Sequence, residues 1–223
     1  MRQRISKKIV IYILIFLFLG TLNNKKISQF FKNENYDFKI VDQSDFNDDK
    51  ILEDLDILKN QNLFLLEKDQ IVEIINSHKI VERFFVFKNY PSSLNINIER
   101  TKFLAITKKN GLNFYIGSNG NLIEVKNKKS DLPFVFGNIE IFEFLKLKDI
   151  IDDSSFSFDD IKNLYYFKTK RWDIETKDGL YIRLPHKNLL KSFKILISII
   201  NNEDIKNINN IDLRQNNQVI LNG

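Results

Sequence analysis

Residues 81–100 read VERFFVFKNYPSSLNINIER, and this stretch decides the fold of the first half of the chain. Its first eight residues are rich in aromatic and β-branched side chains, which favour strands. The Asn-Tyr-Pro that follows is typical of a turn. Beyond the turn, apolar Leu94, Ile96 and Ile98 alternate with polar residues, as in a strand with one buried face. The stretch therefore predicts two strands joined by a short turn.

The residues before this stretch predict one strand and two helices. Residues 37–41 are a short strand candidate. Two later segments carry apolar side chains at helical spacing, with Ile51, Leu55 and Leu58 in residues 47–58, and Ile71, Ile74 and Ile75 in residues 68–77. We therefore expect residues 37–106 to form a small β-α-α-β-β domain.

Residues 107–223 predict a mixed, β-rich domain with two flanking helices, so the expected fold class is α+β. Asn110-Gly111 and Asn119-Gly120 are strong signals for hairpin turns. We expect strands at 112–116, 122–125, 164–167, 171–176, 180–184, 208–213 and 218–221, and helices at 139–151 and 187–200. The first of these helices would direct Ile139, Phe142, Leu145 and Ile150 toward the core.

The basic charge of the chain is concentrated at its start. The first 26 residues hold six basic side chains and no acidic one, which leaves 28 basic side chains against 29 acidic ones in the rest. A nucleic-acid-binding protein needs a basic face that displaces counterions from phosphates. Here the excess lies beside an apolar run, IVIYILIFLFL at residues 9–19, and we expect no nucleic-acid partner.

Three interpretations of this apolar run compete. A buried core helix is disfavoured because the run is apolar on all sides, and a signal peptide because no small-x-small cleavage site follows. A membrane anchor at residues 9–22 is short, roughly 21 Å against about 30 Å of hydrocarbon, although flanking lysines can extend it. We expect a transmembrane anchor at residues 9–26, with residues 1–8 in the cytoplasm because more basic residues precede it than follow it. Residues 27–36 would be a linker.

The sequence offers little for catalysis or for metal binding. It has no cysteine, and its two histidines, His78 and His186, are far apart and expected on the surface. Paired acids lie beside predicted helix or loop boundaries, where aspartate usually caps backbone N–H groups; they are Asp48/Asp49, Asp152/Asp153 and Asp159/Asp160. No Gly-rich phosphate loop and no Ser-His-Asp arrangement is present. We therefore expect no enzyme activity, no cofactor and no metal.

The order of several short motifs resembles the FtsQ/DivIB family of cell division proteins. Residues 58–64 (LKNQNLF), 81–86 (VERFFV), 90–94 (YPSSL) and 98–100 (IER) are similar to its POTRA domain. Residues 171–174 (RWDI), 178–179 (DG), 184–185 (LP) and 211–214 (IDLR) are similar to its β-rich domain. One departure is the turn at residues 117–120 (GSNG), where the family often has Asp-x-x-Gly. The likeness runs in consistent order from about residue 8 to residue 221.

The resemblance implies a single-pass inner-membrane protein of the division septum, with a periplasmic bulk that binds FtsB and FtsL. Only two residues follow the strand predicted at 218–221, so we expect a sheet edge there that can pair with a partner strand. The family's contact region corresponds to Arg171, Arg214, Gln215, Asn217, Val219 and Ile220. Each arginine could instead pair with a local carboxylate, Asp173 or Asp212. The POTRA domain would serve recruitment to the division site.

Two other functions are compatible with parts of the sequence. A POTRA domain also occurs in components of outer-membrane assembly or secretion, although the long helix predicted at 187–200 argues against this class. A secreted binding module would result if the apolar run were cleaved.

Overall fold

The computed structural model describes residues 7–21, 37–42, 49–61, 63–90, 93–125, 131–202, 208–215 and 218–222. The chain is α+β, as predicted, and it divides into two compact units. The first unit comprises Met1–His78 with Arg83–Glu99, and the second comprises Lys79–Glu82 with Arg100–Gly223.

The first helix, α1, spans Lys7–Thr21 and contains the apolar run. Its side chains from Lys7 to Leu19 are exposed. Within the part of the chain that the structure describes, no helix has both the length and the apolar character required to cross a membrane. Residues 22–26 of the predicted anchor and the linker at 27–36 lie outside the described residues.

The first unit then has the element order β-α-α-β-β. Its elements are β1 (Asp37–Asp42), α2 (Asp49–Asp56), a 3₁₀ turn (Ile57–Asn60), α3 (Lys68–Ser77), β2 (Val81–Asn89) and β3 (Ser93–Arg100). The strand order is β1-β3-β2, with β1 parallel to β3. Most of the apolar side chains that predicted these elements are buried, at four-residue spacing on the helices and at two-residue spacing on β3; they are Ile51, Leu55, Ile71, Ile75, Leu94, Ile96 and Ile98. Ile74, also predicted on the apolar face of α3, is only half-buried.

The second unit is built on a nine-stranded sheet in the order β12-β11-β10-β9-β8-β7-β4-β5-β6. The strands are β4 (Phe103–Lys109), β5 (Leu112–Gly117), β6 (Leu122–Glu124), β7 (Phe134–Phe136), β8 (Ile161–Tyr166), β9 (Trp172–Thr176), β10 (Tyr181–Arg183), β11 (Asn210–Asp212) and β12 (Ile220–Asn222). The predicted hairpin turn between β4 and β5 places Asn110 and Gly111 at positive φ, 51° and 86°. Residues 103–106, which we had expected in the first domain, belong to β4 and therefore to this sheet.

Strand β7 is absent from the sequence prediction. It is only three residues long, too short to show alternation, and it forms parallel pairs with β4 and β8. Its central residue, Val135, is 1% exposed. The strand exists because both of its neighbours supply hydrogen-bonding partners, which local sequence does not reveal.

Two helices, α4 (Ile141–Asp152) and α5 (Leu189–Ile200), bury their apolar sides in the core of this unit. The orientation predicted for α4 is wrong in part, because Phe142 is 72% exposed. Phe144, Leu147 and Ile151 are the buried residues instead, spaced three and four apart on one side of the helix. They pack in one cluster with Phe193 and Leu196 of α5 and with the central strands.

Two further expectations need correction. His78, predicted on the surface, has a side chain that is only 9% exposed and lies 3.0 Å from Asp54 (Nε2 to Oδ2). Asp152 and Asp153 lie at the C-terminal end of α4 rather than at a helix N-terminus: Asp152 is in the last turn and pairs with Lys148, and Asp153 is the C-terminal cap. His186 is exposed, as predicted. Asp48 lies outside the described residues.

Candidate partner-binding site

The outermost strand of the nine-stranded sheet is β12, the position that the sequence predicted for an edge. It pairs antiparallel with β11, where Ile211 faces Leu221 and Asp212 faces Ile220. Among the described residues, no strand pairs with its other side. Backbone N–H and C=O groups along that side are therefore available to a strand from another chain.

Apolar side chains accompany this open edge. Val219 is 36% exposed, Ile220 is 47% exposed and Leu221 is 36% exposed. An edge strand in a monomeric protein is usually protected by charged residues or proline, and β12 has neither. Covering its exposed aliphatic groups with a partner would be favourable, because it removes apolar surface from water.

On the helix-covered face, Leu221 continues a row of apolar residues across five strands. The row is Leu164, Ile174, Ile182, Ile211 and Leu221, each in register with the next. The first four are at most 1% exposed, and only the last is partly open to solvent. A strand added to β12 would bring an apolar side chain beside Leu221 and extend the row.

The opposite face of the same strands carries a row of charges. Asp173 faces Arg183, and Arg183 faces Asp212 in the strand register. Arg214, just after β11, donates from Nε to both carboxylate oxygens of Asp212, at 2.8 and 3.0 Å. This hydrogen bond is the main reason why the pKa of Asp212 lies below its ordinary value. Asp212 also accepts the backbone N–H of Arg214 at 3.0 Å.

The second arginine pair is looser. Arg171 Nε lies 3.7 Å from Asp173 Oδ1, and neither atom has a hydrogen-bond partner within the described part of the chain. Asp173 is 2% exposed, and this burial raises its pKa, while the nearby Arg171, Arg183 and Arg214 act in the opposite direction. The guanidinium of Arg171 also stacks over Phe167 at 4.3 Å.

A small pocket of about 180 Å³ adjoins the end of this region. Its lining includes Lys187 and Lys191 near the start of α5, together with Gln215 and Val219. Both lysines are exposed, so the pocket presents positive charge beside the edge strand. A carboxylate is the group that such a pocket would favour.

The structure thus brings most of the predicted contact residues to one part of the second unit. The charges of Arg171 and Arg214 both lower the pKa of Asp173. Gln215, Val219 and Ile220 are exposed beside β11 or on β12. Asn217 lies outside the described residues. Arg183 and Leu221 were missed. The alternation Tyr181-Ile182-Arg183 could have placed Arg183 on the polar face, but its neighbours across the sheet depend on strand order.

The described residues hold no group of three or more His, Cys, Asp or Glu side chains that is arranged to bind a metal ion. The acidic groups at this site are instead engaged by arginines.

Comparison with known proteins gives a consistent result. A sequence model described as cell division protein FtsQ/DivIB, C-terminal, matches residues 105–214. The chain is 24% identical over 203 residues to the cell division protein FtsQ of Rickettsia bellii, which covers 86% of this chain and 72% of that protein. It is 28% identical over 149 residues to the cell division protein DivIB of Clostridium botulinum, which covers 66% of this chain and 55% of that one.

Among solved structures, the chain is similar to the major extracytoplasmic domain of the trans isomer of the bacterial cell division protein DivIB from Geobacillus stearothermophilus. The identity is 15%, the TM-score is 0.35, and the match covers 48% of this chain and 99% of that one.

Proposed function

We propose that the chain is a member of the FtsQ/DivIB family of cell division proteins and that it acts in the division machinery by binding FtsB and FtsL. Its role would be to hold these partners rather than to catalyse a reaction. The observation that carries the proposal is the open edge of β12 with its exposed apolar residues.

The partner would add a strand to β12. Main-chain hydrogen bonds to the free side of β12 would supply affinity, and side-chain contacts at alternate positions would supply specificity. The partly exposed Leu221 supports this mode, because an apolar partner residue there would complete a row that is otherwise buried.

Arg214 and Arg171 would contribute charge-assisted contacts to acidic side chains of the partner. Asp212 accepts from Nε and Nη2 of Arg214, but a guanidinium has five N–H groups, and the Arg214 side chain is 37% exposed. The remaining N–H groups can therefore reach a second carboxylate. Arg171 is held less firmly, because the Nε–Oδ1 distance to Asp173 is 3.7 Å.

We further propose that the chain is anchored in the inner membrane through residues 9–26, with its bulk in the periplasm and its concentration highest at the septum. The apolar run in α1 and the excess of basic residues before it support this orientation. The first unit, with its β-α-α-β-β order, would be the POTRA domain that serves recruitment. Family membership favours this account over a secretion component or a cleaved binding module.

Co-purification of the full chain in detergent with the host's FtsB and FtsL tests the proposal. We expect the wild-type chain to retain both partners, and Arg214→Glu and Arg171→Glu to retain clearly less. Arg83→Glu is the matched control, because Arg83 is also an exposed arginine paired with a carboxylate, Glu99, but lies in the other unit.

Fluorescence of Trp172, which is 1% exposed, reports whether each variant is folded. If the arginine variants fold and bind as well as the wild type, neither arginine takes part in the contact. A folded wild-type chain that retains neither partner would contradict the proposed function.

A further inference from the structure

A larger pocket, of about 510 Å³, lies in the second unit beside the C-terminal end of α5. It is formed by three segments: residues 155–160 after α4, the turn between β9 and β10, and the last turn of α5. None of the residues that line it belongs to the β12 site. Its volume falls within the range of roughly 300–1,000 Å³ that is typical of ligand pockets.

Hydrogen bonds fix two of the segments relative to each other. The backbone N–H of Lys177 donates to the carbonyl of Asp160 at 2.8 Å, which ties the turn to the preceding segment. Thr176 is 3% exposed, and its hydroxyl accepts the N–H of Leu180 at 2.9 Å and also contacts Asp178. The pocket is therefore preformed, which lowers the entropic cost of binding.

The apolar part of the pocket comes from Phe156, Leu180, Ile197 and Ile200. Ile200 is 47% exposed although it belongs to the helix stripe that otherwise faces the core. An aliphatic side chain entering the pocket would cover it.

The polar lining is predominantly negative. Asp160 and Asp178 line the pocket, and Lys177 is the one basic residue among the described residues of its lining. Helix α5 has no basic residue in its last turn, so the partial negative charge of its carbonyl end is not offset there. Asp153 and Asp159 are further exposed acids of the adjoining loop. The field at the pocket therefore favours a cation.

We propose that this pocket binds a protein partner through a segment in which a lysine or arginine stands next to a bulky aliphatic residue. The aliphatic residue would pack on Leu180, Ile197 and Ile200, and the cationic group would reach Asp160. A long basic side chain suits both parts, because its methylene stem is apolar and its head is charged. Anionic partners such as nucleic acid or acidic lipid are disfavoured by the same field.

The proposal does not depend on the β12 site. It makes the second unit a two-contact platform, with a positive site beside β12 that favours carboxylates and a negative pocket at the end of α5 that favours cations. Opposite charge preferences keep one partner from occupying the site of the other.

Fluorescence polarisation with labelled peptides tests the proposal on the full chain in detergent. The probe is a short peptide with an Ile-Lys-Ile centre flanked by glycine and serine. Its two comparison peptides replace Lys by Glu or both Ile by Ser. We expect the Lys peptide to bind at least about tenfold more tightly than either comparison peptide, and its affinity to fall as salt is added.

Two pairs of variants locate the site. We expect Asp160→Lys and Ile200→Asp each to weaken binding of the Lys peptide about tenfold. Their matched controls are Asp153→Lys, an exposed acid of the same loop, and Leu190→Asp, a 45% exposed leucine of the same helix; neither lines the pocket. Arg214→Glu should leave peptide binding unchanged. Equal binding of the three peptides, or equal loss in the variants and their controls, would overturn the proposal.

Discussion

Ile182 and Leu221 belong to the same cross-strand row but differ in how far they are buried. Ile182, in the middle of the sheet, has a strand on each side and is completely buried. Leu221, at the edge, has a strand on one side only and is 36% exposed. At the centre of the sheet the chain itself supplies both neighbouring strands. At the edge, an equally apolar residue lacks the second strand that would bury it. Stability and partner binding should accordingly depend on different residues of one row.

The largest expected effect is on stability at the centre. Ile182→Ala should lower the free energy of unfolding by about 2–5 kcal/mol, because it leaves a cavity in a packed core. Leu221→Ala should cost less than about 1 kcal/mol, because the side chain is already partly hydrated. Urea unfolding followed by the fluorescence of the buried Trp172 measures both. Equal losses would mean that the edge is as well packed as the centre.

A smaller effect is expected on binding at the edge. Leu221→Asp should weaken the binding of FtsB and FtsL at least about tenfold, or about 1.4 kcal/mol, because it places a charge where an apolar partner residue would lie. Leu190→Asp is the control, since Leu190 is 45% exposed on α5 and away from the edge. Titration of the full chain with the two partners measures the difference. Similar affinity for both variants would break the proposed division of roles.

The smallest effect concerns Glu175, on the polar face at the centre of the sheet. Glu175 on β9 accepts hydrogen bonds from Asn163 and Lys162 at 2.9 Å and from Tyr165 at 2.8 Å. These bonds lower the pKa of Glu175 to about 2, and the bond from Asn163 has the largest effect. Because the folded-state pKa is depressed, the contribution to stability is present above the ordinary value of 4.5 and is lost as pH falls toward 2.

Glu175→Gln should therefore cost about 1 kcal/mol near neutral pH, a modest value because solvent screens such pairs at the surface. Unfolding free energies measured from pH 6 to pH 2 should fall less steeply for the variant than for the wild type. Parallel curves would show that these bonds do not distinguish the folded from the unfolded state. Partner binding at β12 should be the same in both proteins.

Local pattern predicted much of the fold. Alternation on β3 and helical spacing on α2 and α3 identified the buried residues of the first unit, because each pattern has one apolar face. The resemblance to the FtsQ/DivIB family that motif order indicated is confirmed by the comparisons with known proteins. The strand at the end of the chain was placed within a residue or two and lies at the edge of the sheet.

Features that depend on tertiary contacts were not predictable in this way. Strand β7 is too short for a pattern and exists through its neighbours. Phe142 was assigned to the core because its spacing from Leu145 fits a helix, but it lies two residues before the buried Phe144 and therefore near the opposite side of α4. Arg183 lies at the site because β10 is between β9 and β11, a strand order that local sequence does not reveal. The transmembrane anchor and the contact residues themselves stay predictions.

Hydrogen exchange of the full chain, with and without FtsB and FtsL, tests the central claim most directly. If a partner strand pairs with β12, amides in residues 218–222 should gain protection, while amides of β9 and β10 should be protected equally in both states. If the complex forms and residues 218–222 exchange as fast as in the free chain, the partners bind elsewhere and the edge-pairing account is contradicted.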